Sequence, residues 1–276
     1  MRPTPDEVTL DTLADELLQA YARGAPLAPP SERIAGFDGA AGYAVARRLR
    51  QRRLAGAPPS PGRKIGFTNR SIWPLYGVYE PIWGTLYADS VHHAPDARGR
   101  LSLSGLPLPR IEPEIVLHLA SAPQPGESPA QLLARVDQVA HGFEIVQSVY
   151  PGWRFTAADA AAGGALHGAL LIGPPRPTQA LGADPLAALS SFTVELSLDG
   201  RRVAQGRGDA VRDGPLHALA HLVQALQQRP ADEALRAGEW VSTGTLTDAQ
   251  PVAPGQTWRT RLTGVPLAGL ELQFTD

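Results

Sequence analysis

The chain has 276 residues, 43% of them hydrophobic, and a formal net charge of −2, which suits one large domain with an N-terminal extension or two small ones with a sizeable core. A near-neutral balance with both signs scattered argues against nucleic acid as a main partner, since that takes a basic face. There is no cysteine, so disulfides, thiolate zinc sites and cysteine nucleophiles are all excluded.

The N-terminus reads MRPTPDEVTLDTLADELLQAY, with acids where a signal peptide needs an apolar run. No apolar stretch approaches the length of a membrane span, and a cytoplasmic protein without a membrane partner is expected. Leu10, Leu13, Leu17, Leu18 and Tyr21 recur at helical spacing over residues 6–23, closed by Gly24. After a Pro-rich link at 25–30, Asp38 can cap a second helix running through Ala44 and Leu49 towards Leu54. The basic run at 47–53 lies in that helix and reads as a solvated face. GAPPSPG at 56–62 is a break. Residues 1–60 therefore read as a helical segment packed on a core, and 61–276 as the domain that carries chemistry.

Beyond the break come short strand-like runs at 82–91, 110–119, 143–149, 166–172, 192–198, 240–246, 257–262 and 267–274. Ser128-Pro129-Ala130-Gln131 has capping-box spacing with Pro at the first helical position, and Asp213-Gly214-Pro215 opens a helix carrying Leu216, Leu219, Leu222, Val223 and Leu226. Many strands and few helices, without regular alternation, predict an α+β fold around a curled or barrel-like sheet, with the N-terminal helices against it.

Three segments could carry chemistry. In Arg110-Ile-Glu-Pro-Glu-Ile-Val-Leu-His-Leu119, Glu112 and Glu114 share one face of a strand. Two carboxylates about 4 Å apart near a surface repel by roughly 4 kcal/mol, so solvent, an arginine, a raised pKa or a metal ion must offset that. A solvated edge strand is the alternative, and Pro113 fits an edge. Glu144 lies in the apolar run of His141-Gly-Phe-Glu-Ile-Val-Gln-Ser148, where an unpaired carboxylate is costly; it either pairs with an arginine or adds a third oxygen ligand. Three glutamates without cysteine favour Mg²⁺ or Mn²⁺ over zinc. His118 and His141 read as hydrogen-bonded structural histidines. Lys64 is the only lysine, and in Gly62-Arg-Lys-Ile-Gly66 glycines on both sides let backbone approach a ligand. Where arginine is otherwise preferred, a retained lysine suggests a need for a compact or titratable charge. The spacing is not that of a phosphate loop, and neither a GxGxxG turn nor a GxSxG elbow is present.

Taken together, these segments resemble the hydratase and decarboxylase branch of the fumarylacetoacetate hydrolase superfamily, typified by 2-keto-4-pentenoate hydratase and 4-oxalocrotonate decarboxylase. The resemblance runs through KIG at 64–66, EPIWGTL at 80–86, RIEPEI at 110–115, FEIVQS at 143–148, LHGALLIG at 166–173 and TGTLT at 243–247. It implies a mixed-sheet, roll-like fold and one divalent ion, Mg²⁺ or Mn²⁺, held by Glu112, Glu114 and Glu144. It also implies an active-site lysine at Lys64 that binds substrate and assists the chemistry, and a turn near Thr245 that takes the acid end of a small 2-oxo acid. The implied activity is that of a lyase, a hydratase or decarboxylase of unsaturated 2-oxo acids from aromatic-compound breakdown, and a homo-oligomer is expected. Two departures bear on the reaction: Ile82 stands where such enzymes usually have an aspartate, and Gly163 aligns with a second usual acid. With fewer groups to activate water, an electron-sink role survives better than a hydrating one. Two alternatives remain, C–C bond hydrolysis of acylpyruvates and a weakly catalytic subunit that stabilises an enzyme partner.

Overall fold

Asp6 accepts a hydrogen bond from Thr9 N and opens the helix Glu7–Arg23, which Gly24 closes in the left-handed region at φ 60°. Asp38 caps Gly39–Leu54 in the same way. Inside the expected link, Pro30–Arg33 forms a single further helical turn, with Pro at its start. The basic run turns out to be paired as well as solvated: Arg48 reaches Glu7 and Asp11, and Arg52 reaches Asp11 and Asp15, so the two long helices are zipped by ions along one side. On the other side Leu10, Leu13 and Leu17 join Val45, Leu49, Val149, Tyr150 and Ala160 in one apolar cluster. This computed structural model describes residues 5–70, 73–76, 78–229 and 234–276. Among them no helix is long and apolar enough to cross a membrane.

Two sheets follow. The larger runs Ile82–Leu86, Gly62–Gly66, Trp240–Thr245, Arg110–Leu119, Val136–Val146, His167–Ile172 and Val91–His93, with parallel and antiparallel neighbours mixed. The smaller has five strands, in the order Arg201–Arg207, Thr193–Leu198, Thr257–Thr263, Glu271–Thr275 and Arg98–Ser102. Ile111, Phe143, Ile145 and Leu171 of the large sheet meet Leu196, Trp258, Leu272 and Phe274 of the small one in a shared core. The helix Pro215–Gln227 covers another part of the large sheet, packing Leu219 and Leu222 near Ile115, Leu117 and Val241. The mixed-sheet α+β expectation holds.

Several local expectations change. The run at 82–91 is two strands, Ile82–Leu86 and Val91–His93, separated by a turn that Ser90 N closes onto Tyr87 O. Short helices at Ala157–Ala162 and Pro185–Ser191 join the two that were expected. Arg110–Leu119 is no edge strand: it lies between Trp240–Thr245 and Val136–Val146. Pro113 is tolerated there because pairing with the 240–245 strand is irregular between Ser242 and Thr245, next to the proline.

Lys64 sits in the strand Gly62–Gly66, in register with Ser242 on one side and Gly84 on the other. A Cβ at Gly84 would lie 2.0 Å from the Gly164 carbonyl oxygen, which is backbone and cannot swing aside. Gly84→Ala should therefore push the 82–86 strand away from the 163–166 loop and destabilise the protein by about 2 kcal/mol or more. A melting curve should show Tm lower by at least roughly 4 °C; an unchanged Tm would show that this packing yields without cost.

Candidate active site

Register brings the acids together. Glu112 faces Glu144 across the central strand pair, and Glu114 lies two residues further along the same face. Each of the three offers a carboxylate oxygen, and these oxygens all lie within 4.8 Å of one another. Glu114 and Glu144 are fully buried, while Glu112 is half-buried at a cavity wall.

The protein holds two of these carboxylates by one edge only. Glu114 Oε2 accepts from Ser242 Oγ at 2.6 Å and from Gly244 N at 2.7 Å. Gly244 can aim its N–H there because it adopts φ 106°, and a Cβ at that place would collide with Thr68. Glu144 Oε1 lies 3.2 Å from Lys64 Nζ and 3.0 Å from His167 Nδ1. Of the two readings of Glu144, the arginine partner is not found among the described residues: a lysine and a histidine meet it instead. The opposite oxygens, Glu114 Oε1 and Glu144 Oε2, are buried without a hydrogen-bond partner.

Such an arrangement is electrostatically unbalanced. Burial pushes Glu112 up to about 8, with Lys64 pulling it back and Glu114 and Glu144 pushing further. Burial and the adjacent Glu144 raise Glu114 well above the usual carboxylate range, and burial raises Glu144 against the pull of Lys64. Burial disfavours the Lys64 ammonium, yet Glu144, Glu112 and Glu114 outweigh it and hold its pKa above the ordinary value. Lys64 also donates to Ala165 O at 3.0 Å. It is a fixed positive charge. Three carboxylates against one ammonium, with two orphaned buried oxygens, make a donor set that a hard divalent cation fits by number, charge and ligand type.

The two structural histidines stay structural. His141 bridges Glu114 O and Thr260 Oγ1, both at 2.8 Å, and burial depresses it to about 4. His118 contacts Asp137 at 2.6 Å, away from the acids. His167 was not singled out from the sequence. Burial and then the Lys64 charge hold it down to about 3, so its ring is neutral.

Lys64 and Glu112 open onto a cavity of about 480 Å³ whose walls include Ile82, Arg110, Trp153 and Thr245. Thr245 is there as expected, but its hydroxyl donates to Thr247 O at 2.7 Å, so it brings a lone pair and not a donor. Arg110 was quoted in the sequence pattern without a role. Its guanidinium stacks on Trp153 at 4.1 Å, and among the described residues it has no carboxylate partner. Ile82 is buried in the same wall, which makes that side apolar. Gly163 does not line this cavity: it ends the helix Ala157–Ala162, and a Cβ there would meet the Tyr21 hydroxyl at 2.7 Å. Asp159, nearby, is spent on Ser31 and Thr156 as a cap and tether.

The raised carboxylate pKa values set a pH dependence. A group that binds its proton more tightly when folded stabilises below its unfolded pKa and loses that contribution as pH rises through the folded value. For Glu112 that window runs from 4.5 to about 8. A divalent cation removes the penalty because it favours the ionised acids. The rise in Tm given by Mn²⁺ over EDTA should therefore grow from pH 5.5 to pH 8. A pH-independent difference would contradict the buried-acid cluster as the binding place.

No protein-family model matches the chain. The 2-keto-4-pentenoate hydratase of Paraburkholderia xenovorans is 31% identical over 255 residues, covering 91% of this chain and 90% of the relative. The solved 4-oxalocrotonate decarboxylase of Pseudomonas putida G7, complexed with magnesium and adipate, superposes with a TM-score of 0.88 at 26% identity, covering 98% of this chain and 99% of that one. Fumarylpyruvate hydrolase from Pseudomonas aeruginosa, at TM-score 0.56 and 17% identity over 79% of this chain and 91% of that one, shares the fold alone. The chain thus belongs to the 2-keto-4-pentenoate hydratase and 4-oxalocrotonate decarboxylase family, and it shares its fold with fumarylpyruvate hydrolase.

Proposed function

We propose that this protein is a divalent-metal-dependent lyase of small unsaturated 2-oxo acids from aromatic-compound breakdown, and that it removes CO₂ from a 2-oxo-3-enedioate faster than it adds water to the corresponding monoacid. In this reading Glu112, Glu114 and Glu144 hold Mg²⁺ or Mn²⁺, and Lys64 faces the substrate. The observation that carries it is the pair of orphaned buried oxygens on Glu114 and Glu144, clustered with Glu112 and Lys64, which themselves line a cavity sized for a small acid. When bound, the ion supplies an electrophile that draws electrons towards the 2-oxo end of the substrate.

The chain's own residues define the rest. The bond to the distal carboxylate breaks, CO₂ leaves, and the electron pair passes through the conjugated double bond to the 2-oxo group. Lys64, kept as an ammonium, lies where it stabilises that developing charge. Arg110 is two residues from Glu112 on the same strand face, about 7 Å along it. Stacked on Trp153 without an anionic partner, it suits a second carboxylate, so a diacid spans from the acid cluster to Arg110. Adipate, found in the related decarboxylase, is such a diacid. Thr245 forms the wall between, and Ile82 keeps that wall apolar, which disfavours deprotonating water more than it hinders loss of CO₂.

C–C bond hydrolysis calls for a carboxylate–histidine pair facing substrate. The pair present, Glu144 with His167, does not meet this need, because His167 lies outside the cavity wall and its other nitrogen contacts Ser90 at 2.8 Å. The same proposal takes residues 1–60 as a helical segment supporting a catalytic domain at 61–276, a small 2-oxo acid as partner, and a cytoplasmic homo-oligomer as the working form.

NMR of products formed by the Mg²⁺-loaded protein tests this directly. CO₂ release from the diacid should outpace hydration of the monoacid, and Arg110→Met should raise KM for the diacid at least about tenfold, the loss of one charge-assisted bond. KM for the monoacid should stay within about threefold of its starting value. Faster hydration than decarboxylation in the unaltered protein would contradict the proposal, and no turnover of either substrate would favour the stabilising-subunit reading.

A further inference from the structure

Glu144 has two oxygens in opposite situations. Oε1 meets both Lys64 and His167, while Oε2 has no hydrogen-bond partner. A carboxylate turns easily about its terminal torsion, and rotation would exchange the two oxygens or move both off the face shared with Glu112 and Glu114. Lys64 alone cannot prevent this, because a flexible ammonium can follow a turning carboxylate. An imidazole held at both nitrogens cannot follow.

His167 is held at both. Nδ1 lies 3.0 Å from Glu144 Oε1, and Nε2 lies 2.8 Å from Ser90 Oγ. A carboxylate that ligates a cation only accepts, so Nδ1–H donates to Glu144, while Nε2 lies at hydrogen-bond distance from the Ser90 hydroxyl, for whose one proton it competes with Tyr87 O. Ser90 is placed in turn by Tyr87, whose N–H donates to Oγ at 3.3 Å and whose carbonyl oxygen lies 3.0 Å from it, within the turn between Ile82–Leu86 and Val91–His93. That turn is anchored from outside by Arg53 of the second long helix, which lies 3.6 Å above the Tyr87 ring and pairs with Asp89. His167 and Ser90 border a second cavity, of about 420 Å³, and neither lines the one that holds Lys64 and Glu112. His167 therefore acts through Glu144 and not on substrate.

We infer that His167, locked by Ser90, is a positioning residue that fixes the carboxylate of Glu144 so that Oε2 stays directed at the cation place. The inference rests on the reading of Glu112, Glu114 and Glu144 as metal ligands. Partners of this kind orient the ligand in advance, and their loss typically weakens metal binding by about 10- to 100-fold.

The experiment is Mn²⁺ binding by the full chain, followed by calorimetry and by the EPR signal of free Mn²⁺, with melting in EDTA to confirm folding. His167→Ala should weaken binding by about 10- to 100-fold. His167→Asn places an amide donor close to the imidazole Nδ1 position and should stay within about threefold of the unaltered protein. Ser90→Ala, which frees the ring to turn, should fall between the two. If the alanine variant fails to fold, His167→Gln fills the space without a donor at the Nδ1 position, and the alanine expectation applies to it. A folded variant lacking that donor that binds Mn²⁺ within about twofold of the unaltered protein would overturn the positioning role alone, as would an asparagine variant as weak as alanine. An unaltered protein that binds no Mn²⁺ would overturn the ligand reading and this inference with it.

Discussion

Three carboxylates and one ammonium, gathered in the middle of a sheet, are the constraint around which this structure is arranged. Burial makes each carboxylate reluctant to ionise, and the single lysine cannot balance three acids. An apolar core tolerates such a cluster only where it is compensated or opens towards solvent, and a cavity lies beside Lys64 and Glu112.

Much of the surrounding fold serves to hold the cluster in a fixed orientation. Mixed strand directions put Lys64 level with Ser242, and the irregular pairing at 242–245 frees a hydroxyl and an amide to grip one oxygen of Glu114. His141 reaches from beneath Glu114 to Thr260 and so ties the acid-bearing strand to the second sheet. The N-terminal helices contribute at a distance, through Arg53 on the turn that carries Ser90. The helical segment is thus linked to the cluster through Tyr87, Ser90 and His167, and not only through shared apolar packing.

What could be read from the sequence follows from how local each signal is. The two-residue spacing of Glu112 and Glu114 needs only strand periodicity, and Lys64 stands out as the lone lysine of an arginine-rich chain. The helix ends at Gly24, Asp38 and Ser128 are likewise local and were legible. Features that depend on register were not. Pro113 looked like an edge residue because the bulge that accommodates it lies on a strand about 130 positions away. Ser242, Gly244 and His167 reach the acids only once four strands are aligned, and Arg110 is distinguished by stacking on Trp153 without an ion pair among the described residues, which no sequence pattern reveals. Gly163, which aligns with a usual acid, lies against Tyr21 and does not line the cavity, a placement that depends on packing with the N-terminal helix.

The central claim is that one divalent ion sits among Glu112, Glu114 and Glu144 next to Lys64. Anomalous diffraction from crystals grown with Mn²⁺ tests it most directly. The account predicts one strong peak per chain, at coordination distance from an oxygen of each of the three carboxylates and on the side of Glu114 Oε1 and Glu144 Oε2. A peak elsewhere in the chain, or no peak at saturating Mn²⁺, would contradict it.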